Sequence, residues 1–217
     1  MLSKYYCNCN RITLDKKISY WENKKITTDE IKIINYLKYK KKLLLYKKTL
    51  LHVGVGNGFL IQSLKSFVKN IFGISISLNE IELCQKIKNI NKSNFYLCDK
   101  FSKDLLNHFS KAKFDIIIDN NLKSYSCCDF AFNKMIKNYN HLLMPNGKII
   151  ASMNGLKWTK LLKKKISFNF NNFIHYKFKE INGPNRNILK LNDCKLLAKK
   201  NNMDFMSNGI IGIFVKK

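Results

Sequence analysis

The amino-acid sequence predicts an α/β protein with a doubly wound, mostly parallel, seven-stranded sheet and an antiparallel strand near the C-terminus. Short apolar runs alternate with helical segments, a pattern typical of parallel strands joined by crossover helices. A glycine-rich turn at 54–58 follows the first of these runs, and Asn208–Gly209, a hairpin signal, separates the last two. The length of 217 residues and the apolar content of 46% fit one globular domain.

The elements follow in order along the chain. A helix is predicted over 28–45, where apolar residues recur at helical spacing behind Thr28 or Asp29 as N-cap. Five strands of a Rossmann-like sheet are predicted at 49–56, 71–77, 95–99, 114–119 and 147–153. The helices between them are predicted at 58–70, 78–90, 102–110 and 127–143. Ser77 and Glu80 form the S-x-x-E pattern of a capping box before the second of these helices.

The C-terminal third is less regular. A Pro-Asn-Gly turn at 145–147 leads into strand five, and residues 156–187 mix lysines with aromatic side chains. We interpret this mixed segment as a helix followed by an irregular cap. A helix at 191–203 and a closing hairpin at 204–217 complete the fold and supply its antiparallel strand.

The charge of the chain is strongly positive, at +26. A cationic surface attracts phosphate, so a nucleic-acid partner is possible. Only Arg11 and Arg186 among the 40 basic residues are arginines, the side chain best suited to bidentate phosphate and base contacts. Because lysine, asparagine and isoleucine share adenine- and thymine-rich codons, a compositional bias explains the charge, and a nucleic-acid partner is not favoured.

The sequence predicts a cytoplasmic protein with a reducing environment. The N-terminal residues lack the apolar region of a secretory signal, and no apolar run approaches the ~20 residues of a membrane span. The seven cysteines form no C-x-x-C pair, and the C-N-C motif at 7–9 lacks partners at zinc spacing. We therefore expect neither a metal site nor a disulfide framework.

The glycine-rich turn after strand one is a candidate ligand-binding segment. Gly54, Gly56 and Gly58 give the spacing G-x-G-x-G, whereas the dinucleotide fingerprint would place glycine at position 59, which is Phe59. A turn of this kind lets a ligand lie against bare backbone near a helix N-terminus. It can also be a purely structural strand-to-helix turn.

The surrounding motifs favour a ligand. "LLHVGVGNG", "IFGISIS", "NFYLCD", "FDIIIDNN" and "HLLMPNGKIIAS" follow one another in the order seen in one family. Together they resemble the class I S-adenosylmethionine-dependent methyltransferases over residues 49–153, and "YWENKK" resembles the lead-in of many such domains. The resemblance implies methyl transfer from S-adenosylmethionine. It divides the single domain 1–217 into a helical lead-in (1–48), a cofactor-binding core (49–153), a substrate cap (154–190) and a closing helix and hairpin (191–217).

The resemblance also implies roles for individual residues. The backbone of the glycine-rich turn would pass under the methionine part and the ribose, Asp99 would accept from the adenine amino group, and Asp119 with Asn120 would face the sulfonium and the acceptor. The implied cofactor-binding set is Gly54, Val55, Gly56, Asn57, Gly58, Ser75, Ile76, Cys98, Asp99, Lys100, Asp119 and Asn120. For Asp99 and Asp119 the alternative is that each acid caps a strand-to-helix loop.

Two positions depart from the family pattern. The family usually ends strand two with an acid that grips the ribose hydroxyls, where this chain has Ser75. A hydroxyl lacks the charge-assisted bond, so either cofactor affinity is weaker or Asn79 or Glu80 partly substitutes. His52 occupies a slot where the family often has aspartate, and it is either a core histidine or a contact to the cofactor's amino group.

The candidate general bases are Asp119, Tyr125, His141 and His175, of which Asp119 and His175 are favoured as the catalytic residues. The Asn-Pro-Pro-Tyr type of motif used on base amines is absent, and so is the aspartate–asparagine pair of metal-dependent relatives. The leading hypothesis is a methyltransferase for a small-molecule, sugar or lipid-linked acceptor, with the aromatic segment as a lid. The alternatives are an RNA- or ribosome-associated methyltransferase and a degenerate domain that binds cofactor without catalysis.

Overall fold

The computed structural model describes Cys7 and residues 26–39, 44–157 and 189–217, together with the backbone of strands 160–168 and 174–182. The helices are α1 (Thr28–Tyr39), α2 (Phe59–Leu64), α3 (Leu78–Gln85), α4 (Asp104–His108), α5 (Asp129–Leu142), α6 (Met153–Lys157) and α7 (Leu191–Lys200). The strands are β1 (Thr49–Val53), β2 (Asn70–Ser75), β3 (Phe95–Leu97), β4 (Phe114–Ile118), β5 (Leu143–Ser152), β6 (Lys160–Phe168), β7 (Ile174–Asn182), β8 (Met203–Ser207) and β9 (Ile211–Lys216).

Seven of these strands form one sheet in the order β3-β2-β1-β4-β5-β9-β8. Strands β1 to β5 pair in parallel, whereas β9 runs antiparallel to both of its neighbours, β5 and β8. The predicted Rossmann-like fold is therefore confirmed, including the antiparallel strand near the C-terminus. The order of the strands reverses between β1 and β4, and ligands of open α/β sheets bind at such a switch point.

Both faces of the sheet are covered by helices. On β1, Leu51 belongs to a buried cluster with α5 and α7 residues, and Leu50 belongs to a second cluster with residues of α1, α2 and α3. Because successive side chains of a strand point to opposite faces, a central parallel strand is covered on both faces and is mostly apolar. The runs "TLLHV" and "FDIII" occupy the centre of the sheet, and His52 is the buried polar exception in β1.

The segment after β5 differs from its prediction. Within the described residues the predicted helix is limited to α6, and β6 pairs with β7 as antiparallel strands, in which Ser167 pairs with His175. The alternation of Tyr176 and Phe178 with lysines is a period-two pattern that indicates a strand. The interpretation as helix and irregular cap is wrong for 160–168 and 174–182, because a period of two favours a strand.

Two smaller differences concern turns. Helix α1 ends at Tyr39, earlier than expected, and a short 3₁₀ turn follows at Leu45–Lys47. The predicted Pro-Asn-Gly turn lies inside β5, where the pairing with β4 jumps from Leu143 to Lys148. Asn146 takes a positive φ of 59° there. The predicted hairpin turn is confirmed, with Gly209 at a φ of 82° between β8 and β9.

Candidate active site

Four parallel strands end at the same edge of the sheet. Ser75 at the end of β2 pairs with Leu97 of β3, and His52 of β1 pairs with Ile118 of β4. Because parallel strands share one carboxyl edge, the segments that follow β1, β2, β3 and β4 meet there. The predicted site residues from four separate motifs thus belong to one rim, which we call the carboxyl edge.

The glycine-rich turn crosses this edge with left-handed backbone. The φ angles of Gly54, Gly56 and Gly58 are 73°, 56° and 77°. A Cβ added at Gly54 would meet no atom within 4 Å, whereas one at Gly58 would lie 2.9 Å from Cδ1 of Ile87 and 3.1 Å from Sγ of Cys84. Gly58 is therefore needed for packing against the helix after β2, and Gly54 leaves bare backbone next to open space.

The side chain of Val55 points into the protein. It is fully buried, and a Cβ at Gly73 of β2 would lie only 2.5 Å from its Cγ1. The absence of a side chain at Gly73 therefore allows Val55 of the turn to pack against β2. Since the Val55 side chain is used for packing, only its backbone is available to a ligand.

Ser75 and Glu80 form a buried pair at the end of β2. The Ser75 hydroxyl donates to Oε2 of Glu80 at 2.5 Å, and the Gly56 backbone N–H also donates to this carboxylate. Ser77 caps α3 as predicted, since its hydroxyl accepts from the Glu80 N–H at 3.4 Å. The Glu80 side chain does not close the predicted capping box, because it reaches Ser75 and the glycine-rich turn instead.

Burial changes the acidity of this carboxyl group. Glu80 is 5% exposed, and desolvation raises its pKa above the usual value, against the opposing effect of the bonds from Ser75 and Gly56. A carboxylate that is kept in a dry site beside a glycine-rich turn has the character of a ligand-binding group rather than of a surface cap.

The side chains of Asp99 and Cys98 make contacts within the protein. Oδ1 of Asp99 accepts from the Phe101 N–H at 2.9 Å, which is the loop-capping role that the sequence left open. Cys98 is buried in the core, with its Sγ 3.9 Å from the Ser102 hydroxyl. Its thiol therefore faces the interior, which leaves the backbone of this residue as the part that can adjoin a ligand.

Lys100, Asp119 and Tyr139 form a buried polar network between β3, β4 and α5. The Lys100 ammonium donates to both carboxylate oxygens of Asp119, at 2.8 and 3.1 Å, and the Tyr139 hydroxyl donates to Oδ2 at 2.9 Å. Lys100 also donates to the carbonyls of Asn121 and Leu122. The pKa of Tyr139 is raised, first by its complete burial and then by the Asp119 charge.

This network does not fit the predicted role of Asp119 as general base. The residue is 2% exposed and already accepts three hydrogen bonds, two of them from the Lys100 ammonium. A base must reach the proton that it removes, within about 3.2 Å or through one water. The arrangement instead holds the loop after β4 in place, since Lys100 joins Asp119 to the carbonyls of Asn121 and Leu122.

Asn120 is also held by its neighbours. Its Oδ1 accepts from the Ser152 N–H at 2.9 Å, and a Cβ at Gly155 would clash with the Asn120 carbonyl oxygen. The side chain therefore joins the ends of β4 and β5, and Gly155 is required for the close approach of α6. The side-chain oxygen of Asn120 is therefore bonded to β5, and its carbonyl oxygen lies against α6.

His52 is neither a satisfied core histidine nor a surface group. It is 3% exposed, and its Nδ1 has no hydrogen-bond partner among the described residues. Desolvation lowers its pKa from 6.5 to about 4, so the ring is neutral at physiological pH. An orphaned nitrogen one residue before the end of β1 is a candidate ligand contact.

The remaining base candidates occupy different places. His141 is in the last turn of α5, immediately before β5 begins, and thus lies at the edge opposite the glycine-rich turn. Tyr125 lies in the loop after β4 with a φ of 63°. His175 lies on β7, and its side chain is outside the described residues.

The family comparison agrees with this geometry. A family model described as a methyltransferase domain matches residues 46–201, most of the chain. The chain belongs to the class I S-adenosylmethionine-dependent methyltransferases. S-adenosylmethionine is accordingly its cofactor, and the resemblance stated from five sequence motifs is confirmed.

Solved structures of methyltransferases share the fold at low sequence identity. An S-adenosylmethionine-dependent methyltransferase from Clostridium acetobutylicum is 13% identical, with a TM-score of 0.59 and coverage of 86% of this chain and 91% of the other. A sugar N-methyltransferase from Streptoalloteichus is 9% identical, with a TM-score of 0.58 and coverage of 90% of both chains. An amino pentose methyltransferase from Micromonospora echinaspora, solved with S-adenosylmethionine, is 8% identical, with a TM-score of 0.55 and coverage of 87% and 90%. Among curated proteins, none is significantly similar in sequence to this chain.

The residues of this methyltransferase fit the cofactor. The open space at Gly54, the orphaned His52 nitrogen and the dry Glu80 carboxylate all lie at or beside the carboxyl edge between β1 and β2. A bare backbone, a neutral polar atom and an acid are the groups needed around an adenosyl amino acid with two ribose hydroxyls. Within the described residues, no helix is both long and apolar enough to cross a membrane.

Sequence reasoning missed one part of this site. Tyr139 carries no sequence signal, because nothing in its helical spacing relates it to Asp119, 20 positions away. Glu80 has the spacing of a helix cap, but the serine in the slot of the usual acid already indicated Glu80, with Asn79, as a partial substitute. The structure places the Glu80 carboxylate against Ser75.

Proposed function

We propose that this methyltransferase transfers the methyl group of S-adenosylmethionine to a small-molecule, sugar or lipid-linked acceptor. The observation that carries the proposal is the position of the β6–β7 hairpin in the chain. It follows directly after α6, which begins where β5 ends at the carboxyl edge. The β6–β7 hairpin therefore follows the edge of the sheet that carries the glycine-rich turn. In this proposal an acceptor enters the site at the same edge.

The comparisons support a sugar as one form of the acceptor. Two of the solved structures that share the fold are named as sugar methyltransferases, one of them for an amino pentose. The hairpin has the role of a lid in this proposal, because exclusion of water favours attack by the acceptor on the methyl group. Its aromatic and lysine content suits an acceptor with both apolar and anionic parts.

The proposed cofactor contacts are the twelve residues implied by the family resemblance, with Glu80 and His52 added. The backbone of residues 54–58 lies under the amino acid and the ribose. Ser75 and Glu80 take the place of the usual acid, the hydroxyl as a donor and acceptor and the carboxylate as the charged acceptor. Ile76 and the backbone of 98–100 border the adenine, with Asp99 facing its amino group.

The main task of the protein in methyl transfer is to align the acceptor with the methyl group. The cofactor supplies a methyl group on a sulfonium, which is already a strong electrophile. The chain aligns the acceptor in line with that group and removes a proton where the acceptor is an alcohol or an ammonium. We propose His175 as the base and Asp119 as a positioning residue, whose network with Lys100 and Tyr139 holds the loop after β4.

Cofactor binding is tested with a pair of matched glycine variants. Gly54→Ala and Gly209→Ala both place alanine at a positive φ, 73° and 82°, with no atom within 4 Å of the new methyl group. Both should lose about 1–2 kcal/mol of stability for the left-handed backbone. Only Gly54→Ala should weaken S-adenosylmethionine binding in calorimetry, because only its methyl group enters the proposed cofactor space. Equal affinities in the two variants would remove the glycine-rich turn from the site.

The acceptor is tested by measuring S-adenosylhomocysteine release with separate pools of sugars and nucleotide sugars, lipid extract, and ribosomal RNA. Release with the sugar or lipid pool supports the proposal. Release with RNA alone replaces it with the RNA-directed alternative. Cofactor binding without release in any pool, under conditions where a known methyltransferase is active, favours the degenerate domain.

The base is tested with His175→Gln once an acceptor is known. The variant should reduce kcat by about 10²–10⁴-fold with little change in KM for S-adenosylmethionine, the range expected for loss of general-base catalysis. It should also remove the acidic limb of the kcat profile. An unchanged limb would assign the proton transfer to another group.

A further inference from the structure

Three cysteines from distant parts of the chain converge beside the start of α5. Sγ of Cys7 lies 3.3 Å from Sγ of Cys127, and the Cys127 and Cys128 sulfurs are 3.8 Å apart. All three sulfur atoms lie within 4.8 Å of one another. Within the described residues this is the one group of three or more cysteine, histidine or acidic side chains that could hold a metal ion.

The spacing of the sulfurs matches a tetrahedral thiolate site. Zinc binds thiolate at ~2.3 Å, so the sulfurs of a tetrahedral site are roughly 3.8 Å apart. The three sulfur–sulfur distances differ from this value by at most about 1 Å, so small side-chain movements would let them surround such an ion. They are not disulfide-bonded in the structure, and an S–S bond would require about 2.05 Å.

The start of α5 holds one of the three sulfurs in place. Cys128 is the N-cap of α5, a helix of 14 residues, and its Sγ accepts from the Ala131 N–H at 3.4 Å. Metal binding converts thiols to thiolates. Cys127 is exposed and Cys7 is half-buried, so an ion has access to the cluster.

We propose that Cys7, Cys127 and Cys128 bind a thiophilic divalent metal ion, with zinc as the natural occupant. The site would join the N-terminal segment to the loop that follows β4, the loop that also carries Asp119. Three protein thiolates leave one position of a tetrahedral ion for an exogenous ligand. Cys9 lies outside the described residues, and the proposal does not depend on it. Zinc binding requires neither cofactor nor acceptor, so the proposal stands apart from the methyl-transfer function.

The experiment measures metal content and affinity in the purified, reduced full-length protein. Zinc is quantified by mass spectrometry of the metal, and affinity is measured by competition with a chromophoric chelator. Cobalt is then used as a probe, because tetrahedral thiolate ligation gives sulfur-to-cobalt charge transfer and intense visible bands. The variants are Cys7→Ser, Cys127→Ser and Cys128→Ser, with Cys194→Ala as the control for loss of a cysteine outside the cluster.

We expect one zinc ion per chain in the wild type and in Cys194→Ala. Each serine variant should lower zinc affinity at least about tenfold, the scale of changes at metal-supporting positions, and should weaken the charge-transfer band. Wild-type protein that binds no zinc, or serine variants that retain wild-type affinity, would overturn the proposal. Recovery of a Cys7–Cys127 disulfide that forms equally fast with and without zinc would also overturn it, in favour of a redox pair. Because Cys127 is exposed, Cys127→Ser should fold, and its retained S-adenosylmethionine binding verifies this.

Discussion

The buried histidine of β1 makes this methyltransferase sensitive to acid. His52 is 3% exposed, its Nδ1 has no partner among the described residues, and burial lowers its pKa from 6.5 to about 4. The folded protein therefore holds the ring neutral at pH values where the unfolded chain has already taken up a proton. Folding and protonation are opposed in that interval.

The size of the effect follows from the difference between the folded and unfolded pKa of His52. A base whose pKa is depressed in the folded state contributes stability above its unfolded pKa of about 6.5, and this stability is lost as the pH falls through about 4. Lowering a pKa by one corresponds to about 1.4 kcal/mol, so acidification should remove about 3 kcal/mol between neutral pH and about pH 4. That loss is a large part of the roughly 5–15 kcal/mol that stabilises a typical domain.

The perturbation is His52→Leu, which removes the titrating ring and keeps an apolar side chain in the strand. Urea unfolding at a series of pH values gives the free energy of unfolding of variant and wild type. We expect the difference between them to change by about 3 kcal/mol in favour of the variant from about pH 7.5 to about pH 4. The general acid sensitivity of a highly charged chain affects both proteins and cancels in the difference.

The control is His141→Leu, because His141 lies in the last turn of α5, away from the carboxyl edge. Its difference from the wild type is measured over the same interval and gives the effect of removing a histidine outside the carboxyl edge. If the His52→Leu difference stays constant within about 0.5 kcal/mol from neutral to acid, the ring is not held neutral by burial and the reasoning fails.

Three further predictions concern the polar groups and the turn at the carboxyl edge. Lys100→Met should lower the free energy of unfolding by about 3–5 kcal/mol, because it leaves the buried Asp119 carboxylate without its cation. Adding Asp119→Asn should restore part of this loss in a double-mutant cycle. Strictly additive effects of the two substitutions would contradict the coupling. Glu80→Gln should weaken S-adenosylmethionine binding in calorimetry by about tenfold, while the control Glu82→Gln binds normally. Because burial raises the pKa of Glu80, the contribution of Glu80 to stability is complete below the unfolded pKa of 4.5 and is lost as the pH rises through the folded pKa. Glu80→Gln should therefore gain stability relative to the wild type towards neutral pH. A difference in unfolding free energy that does not change with pH would refute this. Gly58→Ala should destabilise more than Gly54→Ala in thermal unfolding, since its methyl group would lie 2.9 Å from Ile87, and equal losses would show that the helix can move aside.

Local pattern was sufficient for the sheet and for the rim of the site. The strands β1 to β5 each contain a short apolar run, and a run of that kind can be recognised within about five or six positions. The glycines at 54 and 58 were predictable for the same reason, because a left-handed turn limits the residue type at each position separately. The β6–β7 pair also has a local signal, the period-two alternation around Tyr176, although this segment is predicted from the sequence as a helix and cap.

The partners of the polar groups depend on the folded chain. The Lys100–Asp119 pair joins positions 19 apart, and the Cys7–Cys127 contact joins positions 120 apart. No helical or strand period relates such positions, so only the packing of the folded elements brings them together. The desolvation of His52 and Glu80 is likewise a property of the layers that cover them. The chemistry of a residue type is present in the sequence, whereas its partner, its protonation and its access to a ligand arise from the three-dimensional arrangement.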